Sequence, residues 1–209
     1  MLIIVQARTS SQRFPNKVLY KLENKPIIIH VLDRLKKSKF KNDIVVATSI
    51  NKSDDKLINF LKMKKIKFFR GDLNNVAERL YRTALKYKKN FFIRVSADSP
   101  LIDIEIMDRL IVIHKKKKYK NYDIITNVFP RTFSKGMSFE IIKRNIIQAN
   151  LKNMSTNEKE HVTKFFYNNP KKFKIKNLIN LNKNKYNIDL TVDRKIDLKK
   201  IKMFLKKDV

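Results

Sequence analysis

The residues from Gln6 to Lys17 read QARTSSQRFPNK. Arg8, Arg13 and Lys17 stand in this stretch with Ser10 and Ser11 among them. Three cations with hydroxyls and backbone N–H donors on one loop suit an anion of high charge, such as a triphosphate. The same residue types also make an ordinary basic surface loop, and spacing alone leaves both readings open. The loop is neither G-x-x-x-x-G-K-[ST] nor the G-x-G-x-x-G that cradles dinucleotides. The chain has no cysteine, which excludes thiolate metal sites, disulfide frameworks and a cysteine nucleophile. Its three histidines, His30, His114 and His161, are too few and too scattered for a histidine metal cluster.

Of 209 residues, 43% are hydrophobic and 33% charged, a composition that folds. The length suits one sizeable domain. Lys and Arg number 49 against 19 Asp and Glu, a net charge of +30. Taken alone, this points to nucleic acid or an acidic surface as partner. Yet there are 38 lysines, 21 asparagines and 26 isoleucines beside 6 alanines, 2 glycines and no tryptophan. That bias is one of A/T-rich codons, so the lysines read mostly as a solvated surface. The excess is also even, +14 over residues 1–104 and +16 over 105–209, with no basic tail. No apolar run approaches the ~18 residues of a membrane span. The start, MLIIVQARTS, lacks the basic and long apolar regions of a signal peptide. A soluble, cytoplasmic protein is expected.

The elements that would position the loop follow from apolar patterning. Leu2–Val5 reads as a buried strand, and Pro26 opens a helix to about Ser38. Strand Asp43–Thr48 precedes a helix that Ser53 would cap, ending near Met63. Then come strand Lys67–Arg70, helix Asn75–Lys88, strand Phe91–Val95, a helix capped by Asp103 to about Lys115, and strand Tyr122–Thr126. This alternation predicts an α/β fold, a Rossmann-like, mostly parallel sheet flanked by helices. Such a sheet binds ligands beyond the carboxyl ends of its strands. The informative loops are therefore Gln6–Lys17, Thr48–Asp55, Gly71–Ala77 and Ser96–Asp103. After residue 127 the alternation breaks. Asn127–Gly136 is an excursion, followed by helices near Glu140–Lys152 and Asn157–Tyr167. Strands near Phe173–Leu178 and Ile188–Val192 come next, with a last helix from about Ile196.

The N-terminal loop resembles the signature A-R-x-x-S-x-R-x-P-x-K of the sugar-activating cytidylyltransferases. These include the CMP-Kdo, CMP-sialic and CMP-pseudaminic acid synthetases and, closest, the spore-coat polysaccharide biosynthesis branch. The residues are Ala7, Arg8, Ser11, Arg13, Pro15 and Lys17. The likeness continues in order along the chain: Lys25-Pro26, Val45–Thr48, Phe69-Arg70-Gly71 with Asn75-Val76, Arg94-Val95, and Asp98–Asp103. It then takes in Asn127, Pro130–Phe133, Gly136, Glu140, Glu160–Thr163, Thr191–Asp193 and Asp197-Leu198.

The resemblance implies a nucleotidyltransferase moving CMP from CTP to an acidic or cell-surface-polysaccharide sugar, with loss of pyrophosphate. It implies that Arg8, Arg13 and Lys17 hold the phosphates, with Arg13 the strongest anchor, and that Ala7 and Thr48 lie near the base. Asp98 and Asp193 would share one Mg²⁺, which favours oxygen ligands. Arg94, Arg131, Glu140 and His161 would lie on the sugar side. Residues 1–126 would form the CTP-binding half of a single domain. Residues 127–209 would bind sugar and form a homodimer, with Phe129, Pro130 and Phe133 needing cover. The pattern departs at three places. Asn16 replaces a glycine before Lys17, and asparagine tolerates the left-handed conformation next best. Ala97 precedes Asp98 in place of glycine. Residues 135–140 read KGMSFE where the pattern has D-G-L-D-V-E, so two carboxylates are lost. Two other readings compete: a metal-dependent glycosyltransferase on a related sheet, which would usually show D-x-D, and a basic nucleic-acid-binding protein.

Overall fold

The run LIIVQ is apolar on both faces, unlike the alternating pattern of a half-exposed strand, and it lies inside the sheet. Ile3 and Val5 enter one core and Leu2 and Ile4 the other, on the opposite face. The computed structural model describes residues 1–40, 43–181 and 188–205. In chain order the elements are β1 (Leu2–Gln6), β2 (Lys21–Leu22), β3 (Lys25–Pro26), α1 (Ile27–Lys36), β4 (Asp43–Ser49), α2 (Asp55–Met63) and β5 (Phe68–Gly71). There follow α3 (Val76–Lys86), β6 (Phe91–Ser96), α4 (Ile104–Lys115), β7 (Ile124–Thr126), β8 (Glu140–Lys143) and α5 (Arg144–Asn150). The rest are α6 (Thr156–Glu160), α7 (Lys164–Asn168), β9 (Ile175–Asn177) and α8 (Asp197–Leu205). No helix is long and apolar enough to cross a membrane among the described residues.

The main sheet has the order β5-β4-β1-β6-β8-β7-β9, and only β8 runs antiparallel to its neighbours. The expected mostly parallel sheet is present. The expected helix starts hold in part. Pro26 precedes α1, whose Ile27, Ile28, Val31, Leu32 and Leu35 are buried. Asn75 accepts the Glu78 N–H to start α3, and Asp103 accepts the Glu105 N–H to start α4. Ser53 does not cap α2. Asn51 instead accepts the Ser53 N–H in a short turn, and Asp54 precedes the helix with its carboxylate engaged elsewhere.

Three expectations after residue 127 are corrected. Of the helix expected near Glu140–Lys152, only Arg144–Asn150 is helical, as α5, and Glu140 begins strand β8. Ile141 and Ile142 enter opposite cores, and an apolar run buried on both faces cannot be told from a helix by its period. The helix expected over Asn157–Tyr167 is two, α6 and α7, broken at His161-Val162, where Val162 takes φ 26. Ile188–Val192 forms no strand. The Leu190 N–H bonds Lys135 O at 2.9 Å and the Val192 N–H bonds Asp98 O at 2.9 Å, so this segment docks on loops rather than joining the sheet. The excursion covers part of its own apolar groups: Phe133 is buried in the main core and Phe129, half-buried, stacks on Tyr167 at 4.5 Å, while Pro130 stays exposed.

Gly136 has φ +90, and a Cβ there would stand 2.7 Å from the Leu190 carbonyl carbon. Gly136→Ala should therefore cost about 2 kcal/mol, from left-handed strain plus the clash. Chemical denaturation checks this, and an unchanged midpoint would count against the close approach.

Candidate active site

The N-terminal loop leaves β1 at the carboxyl edge of the sheet and is held at three points. First, Thr9 donates from its N–H and its hydroxyl to Asp54 Oδ1, each at 2.7 Å. Second, Asn16 takes the left-handed conformation, φ 59, and its N–H bonds Thr9 O at 2.8 Å. The substitution of glycine by asparagine is accommodated as expected. Third, Phe14 is buried with Leu101, Leu190 and Val192. Phe14 thus plants the loop between the β6 loop and the C-terminal segment, with Arg13 and Lys17 on either side.

Lys17 is the centre of the site. Its ammonium donates to Asp98 Oδ2 at 2.8 Å and to Asp193 Oδ1 at 2.9 Å. Only 10% of its side chain is exposed. Burial opposes its charge, but the two carboxylates outweigh burial and raise its pKa above the ordinary lysine value. Burial likewise opposes ionisation of Asp193, while Lys17 and Arg13 hold its carboxyl below the usual range. Arg13 Nη2 lies 3.0 Å from Asp193 Oδ2 but is 58% exposed. Arg8 pairs with Glu160 at 2.7 Å. Each cation of the loop is therefore matched by a carboxylate from a distant part of the chain.

Asp98 and Asp193 meet, as expected, but not through two aligned strands. Asp98 follows β6, whereas Asp193 arrives on the docked segment whose Val192 N–H bonds Asp98 O. Both carboxylates contact one ammonium nitrogen, so they are close enough to share one cation. A hard divalent cation fits this donor set: two carboxylate oxygens with room for phosphate oxygens and water.

Two cavities join here. The first, of about 690 Å³, is lined by Ala7, Arg8, Ser11, Arg13, Lys17 and Asp98 among others, and reaches Leu73, Asn74, Val76 and Arg79. The second, of about 520 Å³, is lined by Arg131, Lys135, Ser138, Glu140, Thr163 and Lys164 among others. Arg94, Ser96, Asp98, His161 and Asp193 border both. A nucleoside triphosphate in the first and a hydroxyl-bearing acceptor in the second would meet at Asp98 and Asp193.

Arg94 and Glu140 are cross-strand partners in the β6–β8 register. Arg94 Nη1 donates to Glu140 Oε2 at 2.6 Å, and its Nε donates to Gln6 Oε1 at 2.8 Å. Tyr167 donates its hydroxyl to Glu140 Oε1 at 2.6 Å. Burial, and then the Glu140 charge, push the Tyr167 phenol well above its ordinary pKa, so it stays protonated. Both Glu140 oxygens are thus engaged. Glu140 lines the second cavity, on the side expected for sugar, and its two engaged oxygens fix Arg94 and Tyr167.

Thr48 is also corrected. It is wholly buried, does not line the first cavity and donates to Asp54 Oδ2 at 2.9 Å. The loop after β4 braces the site rather than facing it. Asp54 is the residue that sequence reasoning missed. Its buried carboxylate gathers Thr9, Thr48 and Ser49, and these hydrogen bonds outweigh burial and lower its pKa. Its one sequence signal is a carboxylate five residues after a buried strand, which a helix start explains equally well. Glu160 was legible only as part of the Glu160–Thr163 match, within the 131–163 segment expected on the sugar side, and it borders the first cavity beside Arg8.

The comparisons with known proteins agree with this geometry. The family model for cytidylyltransferases matches residues 2–209. An uncharacterized protein of Methanocaldococcus jannaschii is 35% identical over 173 residues, covering 82% of this chain and 69% of its own. The spore coat polysaccharide biosynthesis protein SpsF of Bacillus subtilis is 27% identical over 99% of this chain and 87% of its own length. Among solved structures, a cytidylyltransferase from Leptospira borgpetersenii superposes with a TM-score of 0.88 at 30% identity, over 98% of this chain and 86% of that one. With a cationic loop facing paired carboxylates and a family match along nearly the whole sequence, the chain belongs to the cytidylyltransferase family.

Proposed function

We propose that this protein transfers CMP from CTP to a sugar hydroxyl, with Mg²⁺, releasing pyrophosphate and making a CMP-sugar for a cell-surface polysaccharide in the cytoplasm. The observation that carries this reading is the Lys17–Asp98–Asp193 cluster at the junction of two cavities. Asp98 and Asp193 would hold the Mg²⁺, which when bound would neutralise phosphate charge and align the α-phosphate. The chain's own groups do the rest. Arg8, Arg13 and Lys17 exchange their carboxylate partners for phosphate oxygens and stabilise the pyrophosphate as it leaves. Lys17, pre-placed by two carboxylates, loses little conformational entropy on binding. Arg94, fixed by Glu140 and Gln6, and His161, bordering both cavities, orient the acceptor so that its hydroxyl lies in line with the phosphorus. Pairing into a homodimer rests on the resemblance, and solution mass checks it.

Thermal denaturation with each of the four nucleoside triphosphates and Mg²⁺ tests the nucleotide. A ligand at one hundred times its Kd stabilises by about 2.7 kcal/mol, a Tm rise of several degrees at this size. CTP should give the largest rise, and pyrophosphate should appear only with a sugar present. Equal rises with ATP and GTP would reduce the site to a generic phosphate site. The Ala97-Asp98-Ser99-Pro100 sequence, with its single aspartate, does not favour the glycosyltransferase reading.

A further inference from the structure

Three cations line the second cavity and not the first: Arg131, Lys135 and Lys164. They are poorly neutralised. Arg131 Nη1 donates to a neutral group, Ser138 Oγ, at 3.0 Å, and no carboxylate pairs with it among the described residues. Lys164 Nζ donates to another neutral group, Asn157 Oδ1, at 2.6 Å. Lys135 meets Asp189 at 3.5 Å, both largely exposed, a pair worth little. Glu158, near enough to feel the Lys164 charge, is committed to Ser155 in a capping box.

The carboxylates bordering the second cavity cannot offset these charges. Asp98 and Asp193 are taken by Lys17, and Glu140 by Arg94 and Tyr167. With Lys135 set against Asp189, the wall away from the junction carries a net positive charge of about two, centred on Arg131 and Lys164. This chain has made it so at positions 135 and 138, where lysine and serine stand. An aspartate at 138 would lie against Arg131 and cancel it.

Resting on the nucleotidyl-transfer reading, we infer that the acceptor sugar carries a phosphomonoester remote from its attacking hydroxyl, bound by Arg131, Lys135 and Lys164. A phosphate monoester brings about −1.5 to −2 charge and three acceptor oxygens, which matches this wall better than a single carboxylate. The arginine fork suits two of those oxygens and the lysines act as point charges. The phosphate is not the leaving group. It stays on the sugar and serves as a handle that places the hydroxyl at the junction.

Inorganic phosphate is the first probe, titrated by calorimetry into protein saturated with CTP and Mg²⁺, so that the N-terminal loop is already filled. The wild type should bind phosphate more tightly than acetate. Ser138→Asp and Arg131→Gln should each weaken phosphate binding by about tenfold, the loss of one charge-assisted contact, with CTP affinity and Tm unchanged. Matched sugars with and without a phosphate ester then serve in pyrophosphate release, and the ester should have the higher kcat/KM. Equal binding of acetate and phosphate, unchanged phosphate affinity in both variants, or preference for the unesterified sugar would overturn the proposal. Failure of the wild type to bind CTP would instead remove the nucleotide reading, and the same titration reports it separately.

Discussion

Asp98→Asn should lower kcat by about a hundred- to a thousand-fold while leaving Tm within a few degrees. The substitution keeps the shape and one acceptor oxygen, so Lys17 retains a hydrogen bond there and its ion pair with Asp193. What disappears is a negative charge and a hard oxygen ligand at the junction of the two cavities. CTP binding without metal should survive, since the loop cations proposed to bind its phosphates, Arg8, Arg13 and Lys17, are untouched. Pyrophosphate release measured across a range of Mg²⁺ concentrations checks this. Wild-type turnover with unchanged Mg²⁺ dependence would remove Asp98 from the metal site. Asp193→Asn should act in the same direction, with Arg13 released as well.

The largest effect on stability is expected at a residue that lines neither cavity. Asp54→Ala should cost about 3–5 kcal/mol, because it strands buried donors rather than merely deleting a contact. Asp54 accepts the N–H groups of Thr9 and Ser49 and the hydroxyls of Thr9 and Thr48, and it is wholly buried. Thr9 belongs to the cationic loop proposed to hold the phosphates, so KM for CTP should rise as well. Asp54→Asn should recover part of the stability, since one oxygen remains an acceptor. Denaturant titration measures both variants, and a loss under about 1 kcal/mol for Asp54→Ala would refute the bracing role. The pH dependence follows from the sign of the shift. Asp54 and Asp193 have folded pKa values below the ordinary 3.8, so their stabilisation is complete above that value and is lost as pH falls through the lower, folded values. Asp54→Ala should therefore flatten the acid limb of the stability curve.

The first 126 residues were legible because their elements are local. Each strand of the main sheet there is an apolar run bounded by turns, whereas the two-residue hairpin strands β2 and β3 carry no such signal, and Asn75 and Asp103 cap the helices they precede. Parallel strands with helical crossovers leave few alternatives once the alternation is read. Beyond residue 127 the elements are short and depend on distant partners. β8 is a strand because β6 and β7 flank it, and no local period marks it.

The site divides in the same way. Arg8, Arg13 and Lys17 announce themselves by charge on one loop, and the motif order carries Asp98 and Asp193. Thr48 was misplaced because the sequence shows a residue's type but not which way its strand faces. Thr48 turns inward to Asp54, and Glu140 spends both oxygens on Arg94 and Tyr167. The amino-acid sequence alone determined the sheet, the family and the cationic loop, all of which rest on local pattern and residue chemistry. Only the tertiary structure decided that Asp193 meets Asp98, through a backbone hydrogen bond from a segment outside the sheet. Only it placed Asp54 under the loop and left Arg131 facing a neutral serine. The contacts of Asp193 and Asp54 span many tens of residues, and even the seven-residue step from Arg131 to Ser138 is set by how the excursion folds, which no local pattern encodes.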